Sequence, residues 1–314
     1  MKPIIPFISQ QTEQQQTTWI EKLRSALPEE SFEPAKQINE TNQKQCEIAV
    51  VANPAPTDLS LFPNLKWVQS LWAGVEHLIQ PSINQNFKIV RMIDPFLTET
   101  MTEAVLAWSL YLHRKMPTYT LQQEEKLWLP HIYIPSNQCN IGILGLGELG
   151  QASAKRLVHN GFSVMGWSRS RKNINNVKTF SGQDGLVEML KTTNILVCLL
   201  PLTKETQGVI NHNLLAHLPK GASLINFARG GLIVTDDLMN LLDKNELYHA
   251  VLDVFEREPL DSTSTLWSNQ KITILPHIAA TTNIETATKI VAQNILNYRQ
   301  TGKIDSDVDL KKGY

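Results

Sequence analysis

The chain has 314 residues, 42% of them hydrophobic, and a formal net charge of −1, enough length for two domains and no electrostatic reason to expect nucleic acid or an acidic membrane as partner. No apolar run reaches the roughly 18 residues of a membrane helix, and the N-terminal apolar stretch is too short for a signal peptide. Cys46, Cys139 and Cys198 are few and scattered, which fits reduced core thiols in a cytoplasmic protein better than disulfides or a metal site.

In chain order, residues 4–8 read as a strand and 18–26 as an amphipathic helix. Further strands are expected at 66–69, 48–51 and 89–90, separated by loops at Asn53-Pro54-Ala55-Pro56 and Phe62-Pro63-Asn64. This makes a small α/β unit ending near Pro95. Between the strand at 66–69 and a helix near Val75 lies Leu71-Trp72-Ala73-Gly74-Val75-Glu76. Its small residues offer backbone N–H groups to a carboxylate, or simply make a turn that needs a glycine. Residues 98–116 place Met101, Val105, Trp108 and Leu112 at helical spacing, and Pro117 is expected to stop that helix. It either links two domains or joins two copies of the chain. Residues 127–135 read as loop.

An apolar run at 141–144 then breaks into Gly145-Leu146-Gly147-Glu148-Leu149-Gly150, followed by a helix to Val158 and a strand at 164–167. Strand, glycine turn, helix and strand in that order form the context in which G-x-G-x-x-G signals a dinucleotide. Gly145 permits the tight turn, Gly147 close approach to a pyrophosphate, and Gly150 the packing of helix on strand. Methyltransferases use related turns, so the motif alone does not name the cofactor. Beyond it, strands at 195–199, 223–226, 249–254 and 272–275 alternate with helices near 186–191, 213–216 and 236–244, giving six strands of a doubly wound fold. Residues 283–299 form a last amphipathic helix.

Ligands of such sheets bind beyond the carboxyl ends of the strands. The second strand is followed by Ser168, Arg169, Ser170, Arg171 and Lys172, the third by Leu200, Pro201, Leu202 and Thr203. The fourth is followed by Phe227, Ala228, Arg229 and Gly230, the fifth by Asp253, Glu256 and Glu258, the sixth by Pro276, His277, Ile278 and Ala279. An Arg, a Glu and a His on successive strand ends can converge on one crevice. Taken singly, each has a plainer reading as a strand cap, a surface charge or a packed loop histidine.

The segments DVFEREPL, LPHIAATT and NFARGGL resemble the signatures of the D-isomer-specific 2-hydroxyacid dehydrogenase family, over nearly the whole chain. WAGVEH and the ending Val308-Asp309-Leu310-Lys311-Lys312-Gly313-Tyr314 resemble its glyoxylate/hydroxypyruvate reductase A-like group. The resemblance implies a Rossmann-type doubly wound parallel sheet domain, residues 98–282, inserted in a smaller flavodoxin-like α/β substrate domain, residues 1–97 and 283–314. It also implies that Arg229 grips the substrate carboxylate, that His277 protonates the carbonyl oxygen, and that Glu258 holds the imidazole and raises its pKa. Trp72, Ala73 and Gly74 would bind substrate, and Asp253 would meet the nicotinamide carboxamide. Leu200, Pro201, Leu202, Thr206, Phe227, Ala228, Arg229, His277 and Ala279 would complete the cofactor contacts begun by residues 145–150 and 168–171.

Absence of an acid after the second strand favours NADPH over NADH, since an acid there binds the ribose 2′-hydroxyl while Arg169 and Arg171 suit a 2′-phosphate. The expected activity is NADPH-dependent reduction of small 2-oxo acids, glyoxylate to glycolate and hydroxypyruvate to D-glycerate, by a cytoplasmic homodimer without metal. The rival readings are a dehydrogenase for D-lactate or a branched-chain analogue, and a non-catalytic NAD(P)H-sensing protein of the same fold.

Overall fold

The computed structural model describes residues 3–79, 83, 86–304 and 308–310. The resembling tail at 311–314 therefore lies outside the described residues. The chain divides into two compact units, residues 1–97 with 282–314 and residues 98–281.

The first unit holds β1 (Ile5–Ser9), α1 (Glu13–Ala26), β2 (Phe32–Pro34), α2 (Glu40–Gln43), β3 (Ile48–Ala52), α3 (Pro56–Ser60), β4 (Trp67–Ser70) and β5 (Lys88–Val90). Its five strands are parallel in the order β2-β1-β3-β4-β5, the flavodoxin-like arrangement. Successive side chains of a strand point to opposite faces. Ile48 and Val50 thus join α1 and the final helix in one core, while Ala49 and Val51 enter the core on the other face. The sequence did not mark β2, which is three residues long and ends in Pro34. The helix expected near Val75 is one 3-10 turn, Glu76–Leu78.

α4 (Pro95–His113) leads into the second unit and α5 (Met116–Glu124) follows it. Here the expectation for Pro117 needs correction. The first helix ends at His113, the chain turns through Lys115 at φ +57, and Pro117 sits in the first turn of α5. A proline there gives up an N–H that has no helical partner anyway.

Then come β6 (Asn140–Leu144), α6 (Glu148–His159), β7 (Ser163–Trp167), β8 (Val177–Phe180), α7 (Gly182–Leu190), β9 (Ile195–Cys198) and α8 (His212–Leu215). The unit finishes with β10 (Ala222–Asn226), α9 (Thr235–Asp243), β11 (Leu247–Leu252) and β12 (Ile272–Ile274). Its sheet has seven parallel strands, β12-β11-β10-β9-β6-β7-β8, where six were expected. The seventh is the edge strand β8. Both faces are covered: Leu196, Cys198, Leu224 and Leu252 enter one core, Ile195, Val197, Ile225 and Val251 the other. Each of the Leu, Ile and Val side chains among them contributes roughly 1.5–3 kcal/mol on full burial. α10 (Ile284–Thr301) returns to the first unit, with Ala287, Val291 and Ile295 buried there.

Candidate active site

In the second unit the strand order reverses between β6 and β9, and the glycine turn leaves β6 at that point. Gly145 has φ +99, donates its N–H to the Trp167 carbonyl over 2.9 Å, and has room for no Cβ, which would lie 2.7 Å from the Leu199 carbonyl oxygen. A Cβ on Gly150 would lie 1.8 Å from the Gly145 carbonyl oxygen. Gly147 is different. A Cβ there would meet nothing within 4 Å, and no side chain caps the helix that starts after it. The chain's own packing explains Gly145 and Gly150. Gly147 instead bares backbone at the N-terminus of a 12-residue helix, where the dipole and the unused N–H groups attract an anion. Leu146 is buried with its side chain against Gly166, Leu149 is half-buried and Glu148 is exposed. The turn fits the pyrophosphate of a dinucleotide.

The other strand ends line the same edge of the sheet. After β7, Ser168 Oγ donates to the Ser170 carbonyl (2.8 Å), and Arg169, Ser170, Arg171 and Lys172 are exposed with no acid among them. After β9, Thr206 Oγ1 donates to the Pro201 carbonyl (2.6 Å) and accepts the Thr203 N–H (2.8 Å). These bonds close a loop holding buried Leu200 and half-buried Leu202. The Glu205 carboxyl in that loop is held below its ordinary value, first by the Thr203 hydroxyl and further by the charges of Arg169 and Lys204. After β10, Phe227 and Ala228 are buried. There Asn226 accepts the Ala228 N–H (3.2 Å) and donates to the Arg229 carbonyl (3.0 Å).

Three charged groups meet beyond β10, β11 and β12. His277 Nδ1 lies 2.7 Å from Glu258 Oε2, and Glu258 Oε1 accepts the Phe255 N–H over 2.9 Å. The hydrogen bond with Glu258 raises the His277 pKa above its ordinary value against an opposing effect of burial. The charge of Glu258 adds to the rise, and Arg229 opposes it. Burial alone would raise the Glu258 carboxyl, but the bonds from His277 and Phe255 and the charges of His277 and Arg229 outweigh it, and the pKa falls. Gly230 fixes the neighbourhood of Arg229, since a Cβ on it would lie 1.9 Å from the Phe255 carbonyl carbon. Only glycine lets the two loops touch. The His277 side chain is 47% exposed, with Nδ1 engaged by Glu258. Arg229 is half-buried and its Nη1 donates to the Ala228 carbonyl.

Sequence reasoning missed what aims His277. That residue has φ +57, a region costly for a side-chain-bearing residue. Asp253, 1% exposed, holds it there: its carbonyl accepts the His277 N–H (2.9 Å), while its carboxylate accepts the N–H groups of Ile278 (2.7 Å) and Ala279 (2.9 Å). An Asp directly after a buried strand was the available signal, as Asn226 was for the Arg229 loop. His249, by contrast, is buried against Thr273, and burial pushes its pKa down to about 4. A cavity lined by His212, Leu215, Leu241 and Leu247 is no part of this cluster.

Trp72, Ala73 and Gly74 belong to the first unit. Ser70 Oγ bends the chain by accepting the Trp72 N–H (3.0 Å) and donating to the Trp72 carbonyl (3.1 Å). Ala73 and Gly74 are half-buried, and their N–H groups have no hydrogen-bond partner among the described residues.

No helix among the described residues is long and apolar enough to cross a membrane. The D-isomer specific 2-hydroxyacid dehydrogenase NAD binding domain matches residues 106–279. A D-isomer specific 2-hydroxyacid dehydrogenase from Xanthobacter autotrophicus, solved with NADPH and MES, is 33% identical with a TM-score of 0.92 over 100% of both chains. An NADPH-dependent glyoxylate/hydroxypyruvate reductase from Sinorhizobium meliloti, solved with NADP and sulfate, is 32% identical with a TM-score of 0.91 over 100% of both. A probable 2-hydroxyacid dehydrogenase from Rhizobium etli, with NADP, HEPES and L(+)-tartaric acid, is 30% identical with a TM-score of 0.90 over 99% of both. On the domain match, the similarity along the full chain and the seven-stranded dinucleotide fold, the chain belongs to the D-isomer specific 2-hydroxyacid dehydrogenase family.

Proposed function

We propose that this enzyme reduces small 2-oxo acids with NADPH, glyoxylate and hydroxypyruvate foremost, giving glycolate and D-glycerate. The observation that carries the reading is the hydrogen bond between His277 and Glu258 beside Arg229. When bound, the cofactor supplies a hydride to the carbonyl carbon. Arg229 pairs with the substrate carboxylate through its planar fork and polarises the adjacent carbonyl. His277, kept protonated by Glu258, donates from Nε2 to the carbonyl oxygen, which stays on the carbon as the hydroxyl of the product. The unused N–H groups of Ala73 and Gly74 supply further carboxylate donors, and Trp72 beside them limits substrate size.

NADPH is preferred over NADH because the turn after β7 carries Arg169 and Arg171 and no acid, and because the similar proteins from X. autotrophicus and S. meliloti were solved with NADPH or NADP. Asp253 reaches the carboxamide in this reading in addition to holding the His277 loop.

The enzyme acts as a homodimer in the cytoplasm. Pairing is supported by Trp128 and Ile132, exposed at 99% and 94%, together with exposed Leu127, Leu129, Tyr133 and Ile134. These six side chains lie within an eight-residue stretch, and clustered exposed apolar side chains mark interaction surfaces. The segment is pinned to its own unit by the Leu127 N–H on the Gln122 carbonyl (2.8 Å) and the His131 N–H on the Tyr119 hydroxyl (3.0 Å), so it presents a fixed shape.

The test is NADPH and NADH oxidation measured against glyoxylate, hydroxypyruvate, pyruvate and a branched 2-oxo acid. The reading expects the highest kcat/KM for the first two with NADPH. A maximum at pyruvate or the branched acid moves the substrate assignment, and equal efficiency with NADH removes the cofactor assignment. Binding of NADPH without turnover of any of the four leaves a sensing protein.

A further inference from the structure

The chain passes between its two units at 97/98 and 281/282, and one buried carboxylate touches both approaches. Asp94 is 2% exposed. Its Oδ1 accepts the Phe96 N–H in the first turn of α4 (2.9 Å), and its Oδ2 accepts the Thr286 hydroxyl in the first turn of α10 (2.5 Å). Asn283 Oδ1 caps that second helix through the N–H groups of Glu285 (2.8 Å) and Thr286 (3.2 Å). Asp94 thus accepts hydrogen bonds at two helix N-termini, where the first turns leave donors without helical partners. A carboxylate this buried persists only when its oxygens are satisfied.

Two bonds extend the connection to the Trp72–Gly74 loop. The Met92 N–H, two residues before Asp94, donates to the Trp72 carbonyl over 3.0 Å, and Thr282 Oγ1 donates to the Leu71 carbonyl over 3.3 Å. The loop is therefore tied on one side to the segment entering α4 and on the other to the segment entering α10. The bond between Asp94 and Thr286 ties those two segments to each other.

We propose that Asp94 and Thr286 are positioning residues for substrate binding, anchoring both crossings and through them fixing the direction in which Ala73 and Gly74 present their N–H groups. The proposal rests on the carboxylate-binding role given to that loop under the proposed function. Neither residue touches substrate. Each acts through the loop, and preorganised donors bind a carboxylate more tightly than donors that must first be ordered.

Thr286→Val removes the hydroxyl while keeping the shape of the side chain, and Thr286→Ser keeps the hydroxyl. Asp94→Asn is the harsher variant and is not needed. Kinetics on the best 2-oxo acid, NADPH affinity by fluorescence, and amide exchange of a peptide covering residues 70–76 are measured on all three proteins. Thr286→Val is expected to raise KM about tenfold, the worth of one hydrogen bond to a charged group, with kcat and NADPH affinity nearly unchanged and faster exchange at 70–76. Thr286→Ser should return each quantity towards wild type. Unchanged exchange overturns the anchor, and faster exchange with unchanged KM overturns its role in substrate binding. A wild-type protein that reduces no 2-oxo acid defeats the proposed function instead, and the exchange comparison still judges the anchor.

Discussion

Glu258 Oε2 and His277 Nδ1 are 2.7 Å apart on loops 19 residues distant in sequence, and each moves the other's pKa towards the charged form. His277 is raised and Glu258 lowered. In the proposed mechanism reduction needs a protonated His277, so kcat/KM should fall as pH rises through that raised pKa. In Glu258→Gln the falling limb should move to lower pH, because both the anionic acceptor and its charge are gone. The pH profiles of the two proteins check this, and coincident limbs would count against the pairing. His277→Ala should lower kcat by roughly 10²–10⁴-fold with NADPH affinity retained. The same pair has a stability signature. The Glu258 share is fully present above the ordinary carboxyl value of 4.5 and lost as pH falls through the depressed one; the His277 share is fully present below 6.5 and lost as pH rises through the raised one. The pair therefore stabilises most between those two values, modestly, since both groups are partly exposed.

Arg229→Lys keeps the charge and loses the fork. With a carboxylate to be gripped at two oxygens, KM for the 2-oxo acid should rise about tenfold or more and kcat/KM should fall by about 10²-fold, one to three kcal/mol of charge-assisted bonding. Steady-state kinetics read this directly, and a lysine variant with wild-type constants would take Arg229 out of substrate binding.

Gly147 and Gly150 should separate ligand from fold. Gly147→Ala places its methyl in open space, so thermal stability should change by less than about 1 kcal/mol while NADPH affinity falls. Gly150→Ala drives a methyl into the Gly145 carbonyl oxygen, so the protein should be unstable or insoluble. Calorimetry with cofactor titration distinguishes the two, and undiminished NADPH binding by Gly147→Ala would argue that the pyrophosphate lies elsewhere.

If the proposed dimer forms, Trp128→Glu with Ile132→Asp should convert it to a monomer in light scattering at micromolar concentration, because charges replace the two most exposed apolar side chains of residues 127–134. A monomeric wild type defeats the proposed dimer, and a variant that stays dimeric places the interface elsewhere.

What the residues disclosed in advance follows from how the sheets are covered. Ile195–Cys198 and Ala222–Asn226 are buried along their whole length, and a strand covered on both faces reads as an unbroken apolar run. β8 is an edge strand with Lys178 exposed and Thr179 half-exposed, and nothing in its pattern separates it from a loop. Pro117 was read as a stop when it opens a helix, because the left-handed turn at Lys115 that makes room for it leaves no trace in composition. At the site, the glycine turn was legible because its spacing states a geometry. Arg229, Glu258 and His277 could be expected to converge because they follow successive strands, while their individual roles came only from the resemblance. The carboxylate of Asp253 turns to amides 25 and 26 residues away, a closure that exists only once β11 and β12 are paired.

The three cysteines lie in three different hydrophobic layers: Cys46 in one face of the first unit, Cys139 and Cys198 on opposite faces of the second. Burial pushes their thiols up to about 11, 11 and 12, and only the thiolate attacks electrophiles. The folded chain should therefore ignore alkylating and disulfide reagents. Whatever labelling does occur times the breathing of a single layer, so the wild-type sequence already carries three independent clocks for its own local opening.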